Sequence, residues 1–159
     1  MEENKLENNN INNELLRITS ENLSKHILMY SPAQLAYAGD AVYELLVRSY
    51  VINSQDTNVN KMHKMTVKFV KAKTQAYLVN MLENELTEDE KKIVKRGRNA
   101  KVTSSPKNAE LMDYRYATGF EALLGYLYLS NELDRLMELF NRIIEILNEK
   151  DDENENNRG

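Results

Sequence analysis

Apolar residues recur along most of this chain at steps of three and four, the period of a helix with one buried face. Leu15, Leu16, Leu23, Ile27 and Leu28 predict a first helix. Ser31-Pro32 then supplies an N-cap and a proline at the first helical position, and the helix it starts should run to about Val51. A polar connection follows from Asn53 to Thr57. The next helix is expected from Asn58 to Leu82, with Met62, Met65, Phe69, Ala72 and Ala76 on one face and Lys61, Lys64, Lys68 and Lys71 on another. Thr87 with Glu90 makes a capping box for a helix to about Arg98. The stretch from Ala100 to Lys107 reads as a loop. Asn108 can cap a helix ending near Leu129, and Asn131 a last one carrying Leu133, Leu136, Met137, Phe140, Ile143, Ile144 and Leu147. No segment alternates as a strand would, so the expected fold class is all-α.

Residues 13–149 should form one domain, flanked by polar tails at 1–12 and 150–159 too poor in apolar residues to order themselves. The 159-residue chain has no cysteine, which removes disulfides, thiolate nucleophiles and Cys-based zinc sites and fits a cytoplasmic protein. No apolar run reads as a signal peptide or a membrane span. The formal net charge of −4 argues at first against a polyanionic partner. Its distribution reverses that reading. Between Thr57 and Ala109 twelve lysines and arginines face five acids, and much of the acidity sits in the tails. A basic middle can bind nucleic acid whatever the sum.

Two carboxylates then stand out, each nearly alone in an apolar run. Asp40 lies in Leu35-Ala-Tyr-Ala-Gly-Asp-Ala-Val-Tyr-Glu-Leu-Leu-Val47, and Glu121 in Ala117-Thr-Gly-Phe-Glu-Ala-Leu-Leu-Gly-Tyr-Leu-Tyr-Leu129. Acids are seldom placed so unless they are paired or hold a metal. Glu44 follows Asp40 by one turn and shares its face. Gly39, Gly119 and Gly125 each cost a helix roughly 1 kcal/mol relative to alanine, so a close approach is the expected reason for them. Such an approach would bring Asp40 near Glu121, and a pair of oxygen ligands suits Mg²⁺. A buried ion network with Arg48, Arg115 or Arg142 would explain the same pattern without any metal.

The order of residues adds to this. Gly39-Asp-Ala-Val-Tyr-Glu-Leu45 followed by Phe120-Glu-Ala-Leu-Leu-Gly125 resembles the two signature segments of the ribonuclease III endonuclease family, over roughly Ser31 to Leu147. Lys95-Arg-Gly-Arg-Asn-Ala-Lys101, Pro106-Lys-Asn108 and Tyr114-Arg-Tyr-Ala-Thr-Gly-Phe-Glu121 resemble the Mini-ribonuclease III group within it, the bacterial form without a double-stranded-RNA-binding domain. The resemblance implies an all-helical homodimer that cleaves double-stranded RNA with Mg²⁺, leaving 5′-phosphate and 3′-hydroxyl ends. It further implies a role in maturing the ends of 23S ribosomal RNA precursors. Asp40 and Glu121 match two of the family's catalytic metal carboxylates. Ala36 and Thr118 occupy two other positions that are customarily acidic. Thr118 and Glu44 are then expected to reach the ion only through its water.

From Lys91 to Lys107 the chain has seven cations and no acid. Lys95, Arg96, Arg98, Lys101 and Lys107 are the expected contacts to RNA phosphates, against the alternative of a merely solvated face. His26 and His63 have no second ligand at metal spacing and read as surface or packing residues. The rival to an endonuclease is a non-catalytic double-stranded-RNA-binding or ribosome-assembly module on the same fold.

Overall fold

A computed structural model describes residues 27–54, 56–102 and 109–157. A 3₁₀ turn at Ile27–Met29 precedes six α-helices: α1 Pro32–Ser54, α2 Val59–Val70, α3 Ala72–Leu82, α4 Glu88–Arg98, α5 Ala109–Leu129 and α6 Leu133–Asn156. Among the described residues there is no strand, as the periodicity predicts. Of the expected first helix only Ile27 and Leu28 fall within the described residues, where they form the 3₁₀ turn; the rest of it, the Asn108 cap and Lys107 lie outside them.

Three helix starts follow from local chemistry. Ser31 Oγ accepts from the Gln34 amide at 3.2 Å while Gln34 Oε1 accepts from Ser31 N–H at 2.9 Å, a reciprocal cap for α1. Asn58 caps α2 by accepting from the Lys61 amide. Thr87 and Glu90 form the expected capping box of α4. The α6 start differs from expectation. Asn131 does not cap it; Glu132 stands at that position without a side-chain bond. Asn131 instead takes φ 60° and ends α5, with its N–H on Tyr128 O and that of Glu132 on Leu127 O. Asparagine tolerates this left-handed conformation better than most side chains.

The expected single helix from Asn58 to Leu82 is two. Lys71 is extended, at φ −64° and ψ 145°, and separates α2 from α3. The carbonyls freed by the break are satisfied by side chains: Thr74 Oγ1 donates to Lys68 O at 2.7 Å and Gln75 Nε2 to Val70 O at 3.0 Å. At the other end of the chain α6 continues helical to Asn156, beyond the expected boundary at 149. Extending an established helix through Glu, Lys and Asp costs little, and Lys150 also rests over the Tyr77 ring at 3.8 Å.

Helix α5 is the spine, with α1, α3 and α4 packed along it, and α6 adds Leu136, Leu139, Phe140, Ile143 and Ile146 to the same core. Phe120, Leu123, Leu124 and Leu127 share one buried face of it, and Gly119, Ala122 and Gly125 are buried on others. Helix α1 buries Leu35, Gly39, Tyr43, Val47 and Val51, every fourth residue. Tyr43 packs edge-on to Phe120 with centroids 4.9 Å apart. Its hydroxyl donates to Phe69 O at 3.3 Å, and burial pushes its pKa well above the usual phenol value. Glu90 is buried too, but Arg135 on α6 holds both its oxygens, at 2.9 and 3.0 Å. That pairing, with the Thr87 bond, holds the Glu90 carboxyl below its usual range against the opposing effect of burial.

Candidate active site

The buried stripe of α1 leaves Asp40 one position off the packed line, on the exposed edge of the helix. Glu121 sits between Phe120 and Ala122, both fully buried, and is itself only half-buried. What joins them is the crossing of α1 over α5. A Cβ at Gly39 would run into the Glu121 carbonyl oxygen and lie 2.8 Å from Gly125 N. One at Gly125 would run into Leu35 O. The helices therefore touch backbone to backbone at the level of the two acids. Gly119 serves a different contact: a Cβ on Gly97 would lie 2.7 Å from its Cα, so this pair sets α4 against α5.

Asp40 and Glu121 open onto one cleft of about 250 Å³, and Ala36, Thr118, Lys101 and Arg115 line it with them. The two customarily acidic positions of the resembling family are thus in the site, carrying a methyl group and a hydroxyl. Thr118 Oγ1 donates to Tyr114 O at 2.9 Å, which leaves its lone pairs available. Among the described residues no group of three or more acidic, histidine or cysteine side chains gathers.

The ion-network alternative fails on the placement of its arginines. Arg48 pairs with Glu44, and Arg142 with Glu85 and Glu145. Arg115 lines the cleft but forms no ion pair with either acid. Among the described residues no cation neutralises Asp40 or Glu121. Burial first, then the charge of Asp40, raises the Glu121 carboxyl to about 7. The side-chain amide of Gln75 works in the opposite direction. Two oxygen ligands with uncompensated charge, beside a threonine hydroxyl, suit a hard divalent cation that keeps most of its water or borrows phosphate oxygens.

The other expected residues are dispersed. Glu44 does not line the cleft, and its carboxylate is held by Arg48. Lys101 lies at the rim. Arg96 donates to Tyr30 O at 3.1 Å, and Arg98 donates to Tyr116 Oη at 3.2 Å while its guanidinium lies over that ring. Each of these arginines therefore has work inside the fold. Lys95 lies with Lys92 and Arg96 on a neighbouring open face beside Pro32 and Asn99. Arg115 was missed as a lining residue of the cleft and was visible only as a possible partner for the acids.

Known proteins show the same arrangement of sequence. The ribonuclease III domain family matches residues 33–132. A Mini-ribonuclease 3 of Clostridium tetani is 48% identical over 130 residues, covering 81% of this chain and 86% of that protein. The Mini-ribonuclease 3 of Staphylococcus aureus is 42% identical over 127 residues, covering 79% and 95% respectively. A crystal structure of a Fusobacterium nucleatum protein superposes with a TM-score of 0.68 at 34% identity, over 77% of this chain and 98% of the other.

Proposed function

Since this chain belongs to the ribonuclease III family and is thereby an endoribonuclease, we propose that it hydrolyses double-stranded RNA in the Asp40–Glu121 cleft with Mg²⁺ held by those two carboxylates. The observation that carries this reading is a pair of acids that no cation pairs among the described residues, in one cleft lined also by Lys101 and Arg115. Asp40 and Glu121 would hold Mg²⁺, which would supply an acidified water and offset charge on the scissile phosphate. The chain's own groups do the rest. Lys101 and Arg115 meet the backbone phosphates that a duplex brings to the rim. Thr118 orients water by accepting a hydrogen bond. The packed wall of α5 keeps Glu121 partly dry, which strengthens its attraction to a cation. Hydrolysis leaves 5′-phosphate and 3′-hydroxyl ends. Lys95 extends the RNA-binding face, with Arg96 and Arg98 contributing charge from their anchored positions, and Lys107 is a further phosphate contact expected from the sequence.

The biological substrate in this reading is a 23S ribosomal RNA precursor in the cytoplasm, the role implied by likeness to the Mini-ribonuclease group. No helix among the described residues is long and apolar enough to cross a membrane. The direct test is a long RNA duplex incubated with the protein in Mg²⁺ and again in EDTA. Discrete cuts that vanish with the chelator are expected. Salt-sensitive duplex binding without cuts in either buffer would overturn the reading in favour of a binding module.

The active form in this proposal is a homodimer joined through α1. The face of α1 turned from the core presents Tyr37, Leu45 and Ile52, which are 86%, 67% and 63% exposed. Large apolar side chains in one stripe suggest a protein partner, and a second copy would set two clefts around one duplex. Leu45→Glu would bury an unpaired carboxylate at such an interface. It should raise the dimer dissociation constant by about 30-fold or more, read by light scattering over a dilution series. A parent that is monomeric at micromolar concentration, or a variant that associates like the parent, would sink the interface.

A further inference from the structure

The cleft is one end of a longer track of depressions. It shares Ala100 with the open face that holds Lys92, Lys95 and Arg96. That face shares Lys95 with a cavity of about 210 Å³ between α3 and α4, which Lys91 and Arg98 also line. This cavity in turn shares Asn80 and Tyr116 with one of about 550 Å³ lined by Lys71, Lys73 and Lys150. Lys150 falls in the stretch expected to be a polar tail, and it reaches the cavity because α6 continues past residue 149. One acid lines each of these two cavities, Glu83 the smaller and Asp113 the larger. Lys91 and Lys92 are tied to Glu88 and Asp89 within α4. Among the described residues no acid pairs Lys71, Lys73, Lys95 or Lys150. Two of the charges are held in place by rings: Lys150 Nζ lies 3.8 Å from the centre of Tyr77, and the Arg98 guanidinium 5.3 Å from that of Tyr116. These contacts cover one face of each ring, so the track offers fixed positive charge rather than platforms for bases.

The course of the track decides which form of RNA it suits. Thr118 and Glu121 reach the cleft from one side of α5, whereas Met112, Asp113 and Tyr116 reach the larger cavity from nearly the opposite side, at 3.6 residues per turn. The track therefore turns round the core past the C-terminal end of α4. A base-paired duplex is stiff over about 150 base pairs, the value for DNA, and cannot follow that turn. A single strand can. We propose that the track holds a single-stranded extension of the RNA as it leaves the duplex in the cleft, with phosphates on Lys95, Lys73, Lys71 and Lys150. This rests on the duplex-cleavage reading for the place of the RNA in the cleft. Contacts to phosphates alone carry no sequence preference. The strand is released beyond Lys150, where α6 continues into the exposed acids Asp151, Asp152 and Glu153, which repel it.

The test is fluorescence anisotropy in EDTA, on the full chain, over a series of salt concentrations. The probes are a blunt RNA duplex and the same duplex with a single-stranded tail on its 5′ or its 3′ end, of about ten nucleotides, a length within the range of single-strand grooves. One of the tailed duplexes should bind at least about fivefold tighter than the blunt one and show a steeper salt dependence, since each single-strand phosphate contact adds about 0.7 to the slope. Lys73→Gln with Lys150→Gln should remove most of that gain, flatten the tailed slope by about 1.4 and leave the blunt duplex within about twofold of the parent. Lys61→Gln with Lys64→Gln withdraws the same charge from α2, outside all four depressions, and should keep the gain. A tail that adds nothing, a Lys73 and Lys150 variant that keeps the gain, or an α2 variant that loses as much would overturn the track. Tripolyphosphate that displaces the tail as strongly as free RNA single strand does, phosphate for phosphate, would overturn it in favour of a small polyphosphate site. A parent with no salt-sensitive binding to the blunt duplex would instead remove the duplex reading beneath the proposal, so the two failures are told apart.

Discussion

The Asp40→Asn protein folds, melts higher than the parent at pH 8 without metal, and cuts duplex RNA at least about a thousandfold more slowly. The fold is preserved because Asp40 stands on the exposed edge of α1 and no ion pair depends on it among the described residues. The gain in stability follows from Glu121. In the folded protein its carboxyl is raised to about 7, by burial and then by Asp40, from an ordinary value of 4.5. Between those values the folded state binds more protons than the unfolded state, so stability falls as pH rises through the window. Above pH 7 the full cost of holding an ionised Glu121 is present. Asparagine at 40 removes one of its two causes, so the cost shrinks while burial remains. At pH 4, where Glu121 is protonated in both states, the two proteins should differ little through this residue. Mg²⁺ reverses the ranking, because it binds the folded parent and stabilises it by mass action. Melting curves at pH 4 and pH 8, with and without Mg²⁺, supply four points. A variant with parental cleavage, or a melting difference that ignores both pH and Mg²⁺, would contradict the site. A protein that is less stable for keeping its acids together is the ordinary relation between activity and stability.

How much of this was legible in sequence depends on which interaction decided each element. The starts at Ser31 and Thr87 were legible because each cap closes within three residues. The break at Lys71 was not. Phe69, Ala72 and Ala76 keep helical spacing across it, so the apolar pattern passes through the interruption unchanged. The side chains that make the break tolerable, Thr74 and Gln75, look like ordinary polar helix residues until their partners at Lys68 and Val70 are known. Asn131 illustrates a shared vocabulary: asparagine favours both helix caps and left-handed turns, and only the fold chooses. In the site, Asp40 and Glu121 were legible from their apolar surroundings together with the family resemblance. Arg115 was read as a candidate counter-ion, since sequence cannot distinguish a cation that neutralises an acid from one that lines the same cleft unpaired. The glycines announced a close approach correctly, but Gly119 meets α4 rather than α1. Spacing along one helix does not name the helix opposite.

Gly39 offers the sharpest contest between local and tertiary forces. Judged by helix propensity alone, Gly39→Ala in the interior of α1 should stabilise the protein by about 1 kcal/mol. Packing predicts the reverse. The new methyl group would collide with the Glu121 carbonyl oxygen and press on Gly125 N, and both are backbone atoms of the central helix. Neither can rotate away as a side-chain tip would, so α1 must lift from α5 along the contact that also seats Leu35 against Gly125. Overpacking of this kind costs about 3 kcal/mol or more when the obstruction is rigid, corresponding to a fall of roughly 6 to 12 °C in melting temperature for a chain of this size. Ala41→Gly is the matched control. It lies on the exposed face of the same helix, and should cost about 1 kcal/mol through propensity alone. Cleavage separates the two variants further. At a temperature where both remain folded, Ala41→Gly should cut at near-parental rate, while Gly39→Ala should be severely impaired because the lifted helix carries Asp40 away from Glu121. A Gly39→Ala protein that melts at or above the parent would show that α1 and α5 are not in backbone contact. The proposed convergence of the two carboxylates would then lose its structural cause.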